Sequence, residues 1–397
     1  MMPKVLFLGG EDHHLRIPFM LALRERGYRV TAAGSGDPGP FARAELEFRP
    51  FHFNRFVSPK GDWDALQRLP RLLADIQPDI AQSFDLKPNL LLPFAARRVP
   101  GIQVIRTING LNFIYSSRSP LALAARPVYR VLHRLAAGLT AATVFQNHDD
   151  RKFFERYGML GKGPGLVIPG SGVDIAGFER AVAAGPSRDE LRNTLMLGDK
   201  PVIMTVSRMT RHKGIPTLLK AASLVHAARP DVRFLLVGPR ESEGPLAVGQ
   251  DEIDQHKPYV IALGPRSDIP SLLNIADVFA FPTEFREGIP RALMEAALAS
   301  LPIVATDMPG CRDVIHDRSN GYLVPPKSPQ DLADRILRLL TDRDSAQSLG
   351  AKAAETIRKG FSLDHILARH IALYAELLDV RIPHQANSAG EPSLTAF

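Results

Sequence analysis

The sequence predicts an α/β protein built from two doubly wound domains, each a mostly parallel sheet covered by helices. Three observations carry this. Short apolar runs rich in β-branched residues alternate with helix-length segments along most of the 397 residues. A looser Gly- and Ala-rich stretch from Asp174 to about Pro186 interrupts the alternation, separating a first domain, 1–175, from a second, 176–361. A hydrophobic content of 45% at this length leaves enough apolar mass for two cores.

In chain order, VLFLGG reads as an opening strand over 4–8; it is too short for a signal h-region. Helical periodicity follows over 15–26, and a strand over 28–33. Helices over 65–75 and 89–98 bracket a strand at 79–83, and strands at 102–107 and 140–145 complete the first domain. Asp62-Trp63-Asp64 has the D-x-D spacing of some divalent-ion sites, but it opens a helix, where acids favour the N-terminus, so capping is the reading adopted. His13 and His14 fall in the loop after the first strand, expected to face a ligand cleft. An adjacent pair lacks the spacing of a helical metal site. Beyond Pro186 strands recur near 201, 232, 258, 277 and 302. FSLDHILARHIALYAELL reads as an amphipathic helix, and the polar, aperiodic 381–397 as a disordered tail.

One cysteine, Cys311, excludes a disulfide framework and suits a reducing cytoplasm. No run reaches the roughly 18 apolar residues of a membrane span, so membrane contact is expected to be peripheral. The net charge of +7 is unevenly placed. Up to Asp174 there are 23 Lys and Arg against 15 Asp and Glu, which leaves 26 against 27 for the remainder. No acid lies between Asp85 and Asp149, a window that holds Lys87, Arg106, Arg118, Arg126, Arg130 and Arg134. In LALAARPVYRVLHRL the last three cations interleave with Leu, Val and Tyr. That pattern suits anionic lipid headgroups at about 1 kcal/mol per cation; a solvated helix face is the alternative. No helix-turn-helix, RNP-like strand or Cys/His finger supports a nucleic-acid partner.

The chemistry concentrates in the second half. PVIMTVSRM reads as a buried strand, so Arg208 and Lys213 emerge at its carboxyl end, where open α/β sheets bind ligands and where both cations can hold phosphate. Downstream, FREGIPRALMEAAL places Glu287 on a loop and Glu295 more than a turn inside a helix from about Pro290 to Ser300. Eight helical residues rise roughly 12 Å and rotate about 80° past two turns, so the acids would touch different parts of one elongated ligand. Gly288 and Ile289 bring backbone close to such a ligand at the helix N-terminus. Two solvated acids and ordinary loop cations are the plain alternative, which the ordered co-occurrence of both elements weakens.

With SRMTRHKG, EFREGIPRALMEAALAS, ATDMPGCRDVI and NGYLVPP, and with FDLKPNLLLPFAARR, RTINGLNF and VIPGSGVD in the first half, the chain resembles the retaining glycosyltransferases of family 4. The wording is most similar to the bacterial branch that builds capsule, exopolysaccharide and O-antigen units on undecaprenyl diphosphate. The resemblance implies two doubly wound Rossmann-like domains facing a cleft, the GT-B arrangement. The helix over 362–380 would return to the first domain. It also implies that Arg208 and Lys213 hold the donor diphosphate, Glu295 the ribose and Glu287 the transferred sugar. The donor would be a UDP-sugar used without a metal or other cofactor, and the acceptor a lipid-linked saccharide at the inner face of the cytoplasmic membrane. Gly10, His14, Arg16 and Lys87 are candidate acceptor contacts. Many relatives carry histidine in a T-V-H-G segment where this chain has Asn109, which cannot titrate near neutrality but can hydrogen-bond a sugar. A UDP-sugar 2-epimerase of the same architecture and a non-catalytic nucleotide-sugar-binding subunit are the rival expectations. Intact acids and cations argue against the second.

Overall fold

The computed structural model describes residues 2–54, 58–111, 114–115 and 119–379. The expected tail at 381–397 and Arg118 lie outside the described residues. Two parallel sheets organise the chain. The first contains β1 (Lys4–Gly9), β2 (Arg29–Gly34), β3 (Glu47–Pro50), β4 (Ile80–Phe84), β5 (Gln103–Ile108), β6 (Ala142–Phe145) and β7 (Gly165–Val167), in the order β3-β2-β1-β4-β5-β6-β7. The second contains β8 (Val202–Val206), β9 (Arg233–Val237), β10 (Val260–Gly264), β11 (Val278–Phe281), β12 (Ile303–Thr306) and β13 (Tyr322–Val324), in the order β10-β9-β8-β11-β12-β13.

Central strands are buried along nearly their whole length, as in IAQSF of β4 and VFAF of β11, because helices cover both sheet faces. Those faces separate the cores. One side of the first sheet packs Leu6, Leu8 and Leu92 with Leu69, and the other packs Phe7, Phe19 and Met20. Strands β3, β7 and β13 escaped the sequence reading. EFRP and GLV are three or four residues long at sheet edges, too short and too mixed for a period to emerge.

In both sheets the strand order reverses at one point, between β1 and β4 and between β8 and β11. Loops leaving adjacent strands part there and open a crevice at the carboxyl ends. Gly10 and Asp85 follow β1 and β4; Arg208 and the segment bearing Glu287 follow β8 and β11.

The chain crosses between domains twice, and the crossings bond to each other: Val173 N–H donates to Phe361 O, and Leu363 N–H to Val173 O, each at 2.9 Å. Gly172 makes room for this, since a Cβ there would stand 2.6 Å from Leu363 Cα at a φ of +75°. The stretch expected as a loose linker is instead helical over Ile175–Ala184, started by Asp174 Oδ1 accepting the Gly177 N–H at 2.8 Å. Helix Leu363–Leu377 lies on the first domain, where Ile366, Leu367, Leu373 and Tyr374 join the core of Phe7 and Phe19. The Tyr374 hydroxyl donates to Gln82 Oε1 inside that sheet. No helix among the described residues is long and apolar enough to cross a membrane.

The buried Tyr374 is the structural hold on this returning helix. Tyr374→Ala is expected to cost about 3–5 kcal/mol in denaturant unfolding, the scale for deleting a buried aromatic side chain. Wild-type stability in that variant would mean the helix is not docked.

Candidate functional site

A run of side-chain hydrogen bonds crosses the carboxyl ends of the first sheet. Gly10 N–H donates to Asp85 Oδ2 at 2.9 Å, and Asn109 Nδ2 to Asp85 Oδ1 at 3.4 Å. Gln146 Nε2 then donates to Asn109 Oδ1 at 2.9 Å, and Gln146 Oε1 accepts the Ile289 N–H at 3.0 Å. The run thus starts after β1 and ends in the second domain. Asn109 is held at both ends of its amide, yet keeps a second N–H and a second lone pair for a ligand.

In the second domain Lys213 ends a short 3-10 turn, Arg211–Lys213, closed by Gly214 at a φ of +72°. Only glycine fits there, because a Cβ would overlap Pro282 O. This close approach brings Lys213 Nζ onto Glu287 Oε1, with the two side chains 13% and 14% exposed. Thr283 Oγ1 also donates to Glu287 Oε1, at 3.0 Å. Arg208 stands apart from the pair, with Nη1 3.4 Å from the nearly buried Glu243 Oε2. Glu295 is bonded by Arg291 Nε at 2.7 Å, a helical i,i+4 pair, and Arg291 Nη1 reaches across to Leu15 O at 3.3 Å. The helix spans Arg291–Leu298 with Pro290 as its extended N-cap residue, so the proline sits one position earlier than a first-turn proline.

Gly288 and Ile289, expected to contact the donor, are engaged by the first domain. The Ile289 N–H is taken by Gln146, and its side chain packs in the second domain's core beside Leu293. Gly288 is demanded by packing: a Cβ would overlap Gln146 Oε1, and its carbonyl fills the place a Cβ would need at Gly310. Buried behind this loop, Cys311 has its thiol pushed well up by burial, with Glu287 adding to the effect.

Two further bonds and one close backbone approach fix the same loop to the first domain. Asn147 Nδ2 donates to Glu287 O at 3.1 Å, Arg286 Nη2 lies 3.2 Å from Asp150 Oδ1, and Gly110 abuts the backbone of 286–288. Asp150 is fully buried and accepts from Asn147 Nδ2 at 2.9 Å. Burial, opposed by Arg286 and Asn147, pushes its carboxyl from 3.8 up to about 6.

The outlying candidates divide. His14 is exposed, whereas His13 turns away from the cleft into the core: its Nε2 bonds Phe7 O at 3.1 Å between the rings of Phe41 and Phe84, and burial lowers its pKa to about 3. Arg16 lies over the Phe84 ring at 4.1 Å, with its Nε buried and unpartnered. Lys87 Nζ pairs with Asp62 Oδ1 at 2.5 Å, and Asp64 with Arg68 at 3.0 Å, so both D-x-D acids serve ion pairs on helix Pro59–Ile76. Asp62 sits in the first turn, but the N-cap is Ser58. Among the described residues no three His, Cys, Asp or Glu side chains cluster as metal ligands.

The expected lipid-facing cations fold back on the protein. Arg126 Nε donates to Ile114 O at 3.1 Å, Arg130 Nε to Tyr115 Oη at 3.1 Å, and Arg134 Nε to Tyr157 O at 2.8 Å. Arg126 also lies over the Tyr115 ring at 5.0 Å and Arg130 over the Tyr157 ring at 3.8 Å.

Sequence reasoning missed Asp85, Gln146, Asn147, Asp150 and Arg286. Asp85 and Asp149-Asp150 did mark the edges of the acid-free window, and Asp85 adopts a non-glycine φ of +69° that no sequence period announces. Gln146-Asn147 carries an N-cap signal, since Asn147 Oδ1 accepts the Asp150 N–H at 2.8 Å.

The glycosyl transferases group 1 family model matches residues 187–356, and the glycosyltransferase family 4 model residues 19–159. The N,N'-diacetylbacillosaminyl-diphospho-undecaprenol alpha-1,3-N-acetylgalactosaminyltransferase of Campylobacter jejuni is 25% identical, covering 93% of this chain and 97% of its own. The UDP-Gal:alpha-D-GlcNAc-diphosphoundecaprenol alpha-1,3-galactosyltransferase of Escherichia coli is 25% identical over 82% of both chains. Among solved structures, Anabaena HepE in complex with UDP matches with a TM-score of 0.75 at 18% identity, over 94% of this chain and 100% of that one. Sucrose-phosphate synthase from Thermosynechococcus elongatus matches at 0.77 and 18% identity, over 96% and 100%. These two likenesses establish the fold.

Asp150 gives the site a measurable pH signature. Its folded pKa lies above the unfolded value, so the fold favours the protonated carboxyl; that contribution is complete below pH 3.8 and is lost as pH rises through about 6. The stability of wild type relative to Asp150→Asn is therefore expected to fall between pH 4 and 7, by on the order of 2–3 kcal/mol. Denaturant unfolding across that range checks it, and a pH-independent difference would refute the assignment.

Proposed function

The chain belongs to the glycosyltransferases of the GT-B fold, and from that premise we propose that it transfers a hexose or N-acetylhexosamine from a UDP-sugar to an undecaprenyl-diphosphate-linked saccharide. The transfer retains anomeric configuration, serves cell-surface polysaccharide synthesis and takes place at the inner face of the cytoplasmic membrane. The observation that carries this reading is the Lys213–Glu287 pair, which sets a strand-end cation and a loop acid together at the second sheet's switch point, opposite Asn109 and Gly110. The lipid-linked acceptor rests on what the Campylobacter and Escherichia coli relatives are named for.

A diphosphate arriving at Lys213 replaces Glu287 as its anionic partner and leaves the acid to face the sugar ring. Arg208 approaches from the end of β8, and the start of helix Arg291–Leu298 adds its partial positive charge. As the bond between the anomeric carbon and the phosphate oxygen breaks, charge collects on UDP, where these groups stabilise it without a metal ion. The acceptor hydroxyl then bonds the oxocarbenium-like carbon on the same face, and its proton passes to the departing phosphate. Glu295 serves the ribose once Arg291 yields one of its contacts. A UDP-release assay over a panel of UDP-sugars, with a GDP-sugar as control and with or without lipid-linked acceptor, tests the reading. Release from no sugar nucleotide would overturn it.

Arg208→Ala and Lys213→Ala are each expected to lower turnover by about two to three orders of magnitude with the fold intact, the scale of losing one preorganised donor. EDTA should change little; a strict divalent-ion requirement in purified enzyme would sink the mechanism. The two acids should separate by calorimetry with UDP. Glu295→Ala weakens UDP binding because the ribose is held in ground and transition states alike, while Glu287→Ala depresses turnover and leaves UDP binding nearly unchanged. The reverse pattern would overturn the placement of the ligand.

A further inference from the structure

Helix Pro120–Ala137 has two apolar sides. One is buried, through Ala122, Tyr129, His133, Ala136 and Ala137. The other is open: Leu121 is 75% exposed, Val128 60%, Val131 50%, Leu132 38% and Leu135 55%. At 100° per residue these five fall within an arc of about 100°, and the stripe runs about 21 Å along the axis. Five of the twelve exposed large hydrophobic side chains among the described residues thus lie on this stripe, and a sixth, Leu123, lies on another side of the same helix. Scattered exposed leucines need no explanation, but a continuous stripe marks an interaction surface. Arg126, Arg130 and Arg134 lie on neither the stripe nor its edges, being pinned to Ile114, Tyr115 and Tyr157.

We propose that this stripe inserts into the interfacial layer of a lipid bilayer and that the protein docks there through apolar burial more than through charge. The proposal rests on the lipid-linked acceptor of the preceding section. Two observations select the bilayer as occupant. The helix carries no acid, since the chain has none between Asp85 and Asp149, so nothing on it repels an anionic bilayer that meets the stripe. The buried side of the same helix supplies Tyr129 and His133 to a small cavity shared with Asp85 and Asn109. One helix therefore has the proposed bilayer on one side and the candidate acceptor groups on the other. The separation is one helix diameter, about 10–12 Å, so a headgroup diphosphate can reach the cleft while its chain stays in the membrane.

Flotation with phosphatidylcholine vesicles, with and without phosphatidylglycerol, tests this at low salt and at about 1 M salt, where the Debye length is about 3 Å. Wild type is expected to bind and to keep most of its binding at high salt. The double variant Val128→Asp, Leu135→Asp, changed only at exposed positions, should lose at least about tenfold at either salt, since each buried Val or Leu contributes more than one decade. Its circular dichroism and UDP binding should match wild type. Three results would overturn the docking surface: no wild-type binding, wild-type binding abolished by salt, or a double variant that floats like wild type. A wild-type dimer that the double variant dissolves would give the stripe to a second copy instead. UDP release on a detergent-soluble acceptor, measured in parallel, separates the two readings. Its absence in wild type defeats the proposed transfer alone, and its presence with failed flotation defeats the docking alone.

Discussion

Gln146 bonds Asn109 through its nitrogen and the Ile289 N–H through its oxygen, and this bridge fixes where the second domain's loop stands relative to the first. Its geometry depends on two absent side chains. Gly110 and Gly288 let the backbones approach until a Cβ on either would overlap the opposite domain. With the loop clamped there, Glu287 has its carbonyl held by Asn147 and its carboxylate turned to Lys213 and Thr283. Neither domain alone makes that arrangement, so the candidate site exists only at the junction.

The ion pair beside the bridge has a cost built in. Asp150 is fully buried, and desolvation outweighs the attraction of Arg286, as the raised carboxyl pKa reports. An apolar pair would hold two surfaces together at less electrostatic cost. What the charged pair supplies is register: a single carboxylate that accepts from both Asn147 and Arg286 admits few relative positions of the loops that carry them. The returning helix adds a second link between the domains, where Val173 and its neighbours Phe361 and Leu363 pair the two crossings. Bonds between the two domains thus lie both at the crossings and at the cleft.

Helix Pro120–Ala137 shows how composition misleads about direction. Its arginines made the segment look like an electrostatic surface, yet each directs its Nε back to Ile114, Tyr115 or Tyr157. The apolar residues between them, which a soluble helix would bury, are the ones left outside. Charge counted along a sequence says nothing about which side of a helix the charges occupy once neighbouring acceptors are in place.

By itself the sequence determined the two doubly wound sheets, the strand ends that carry Arg208 and Lys213, the loop position of Glu287, and the helix that bears Glu295. These follow from local periods and from strand-to-helix punctuation, which act over a dozen residues. The tertiary structure alone decided that Lys213 meets Glu287, that Asp85, Gln146 and Asp150 belong to the site, and that His13 is core. It also turned the expected linker into a helix and gave the Ile289 N–H to Gln146. Arg286 and Asp150 are separated by 136 residues, and Gln146 and Ile289 by 143. No repeat relates partners so far apart; they become neighbours only because two strand-order reversals, each set by its own sheet, open toward one another.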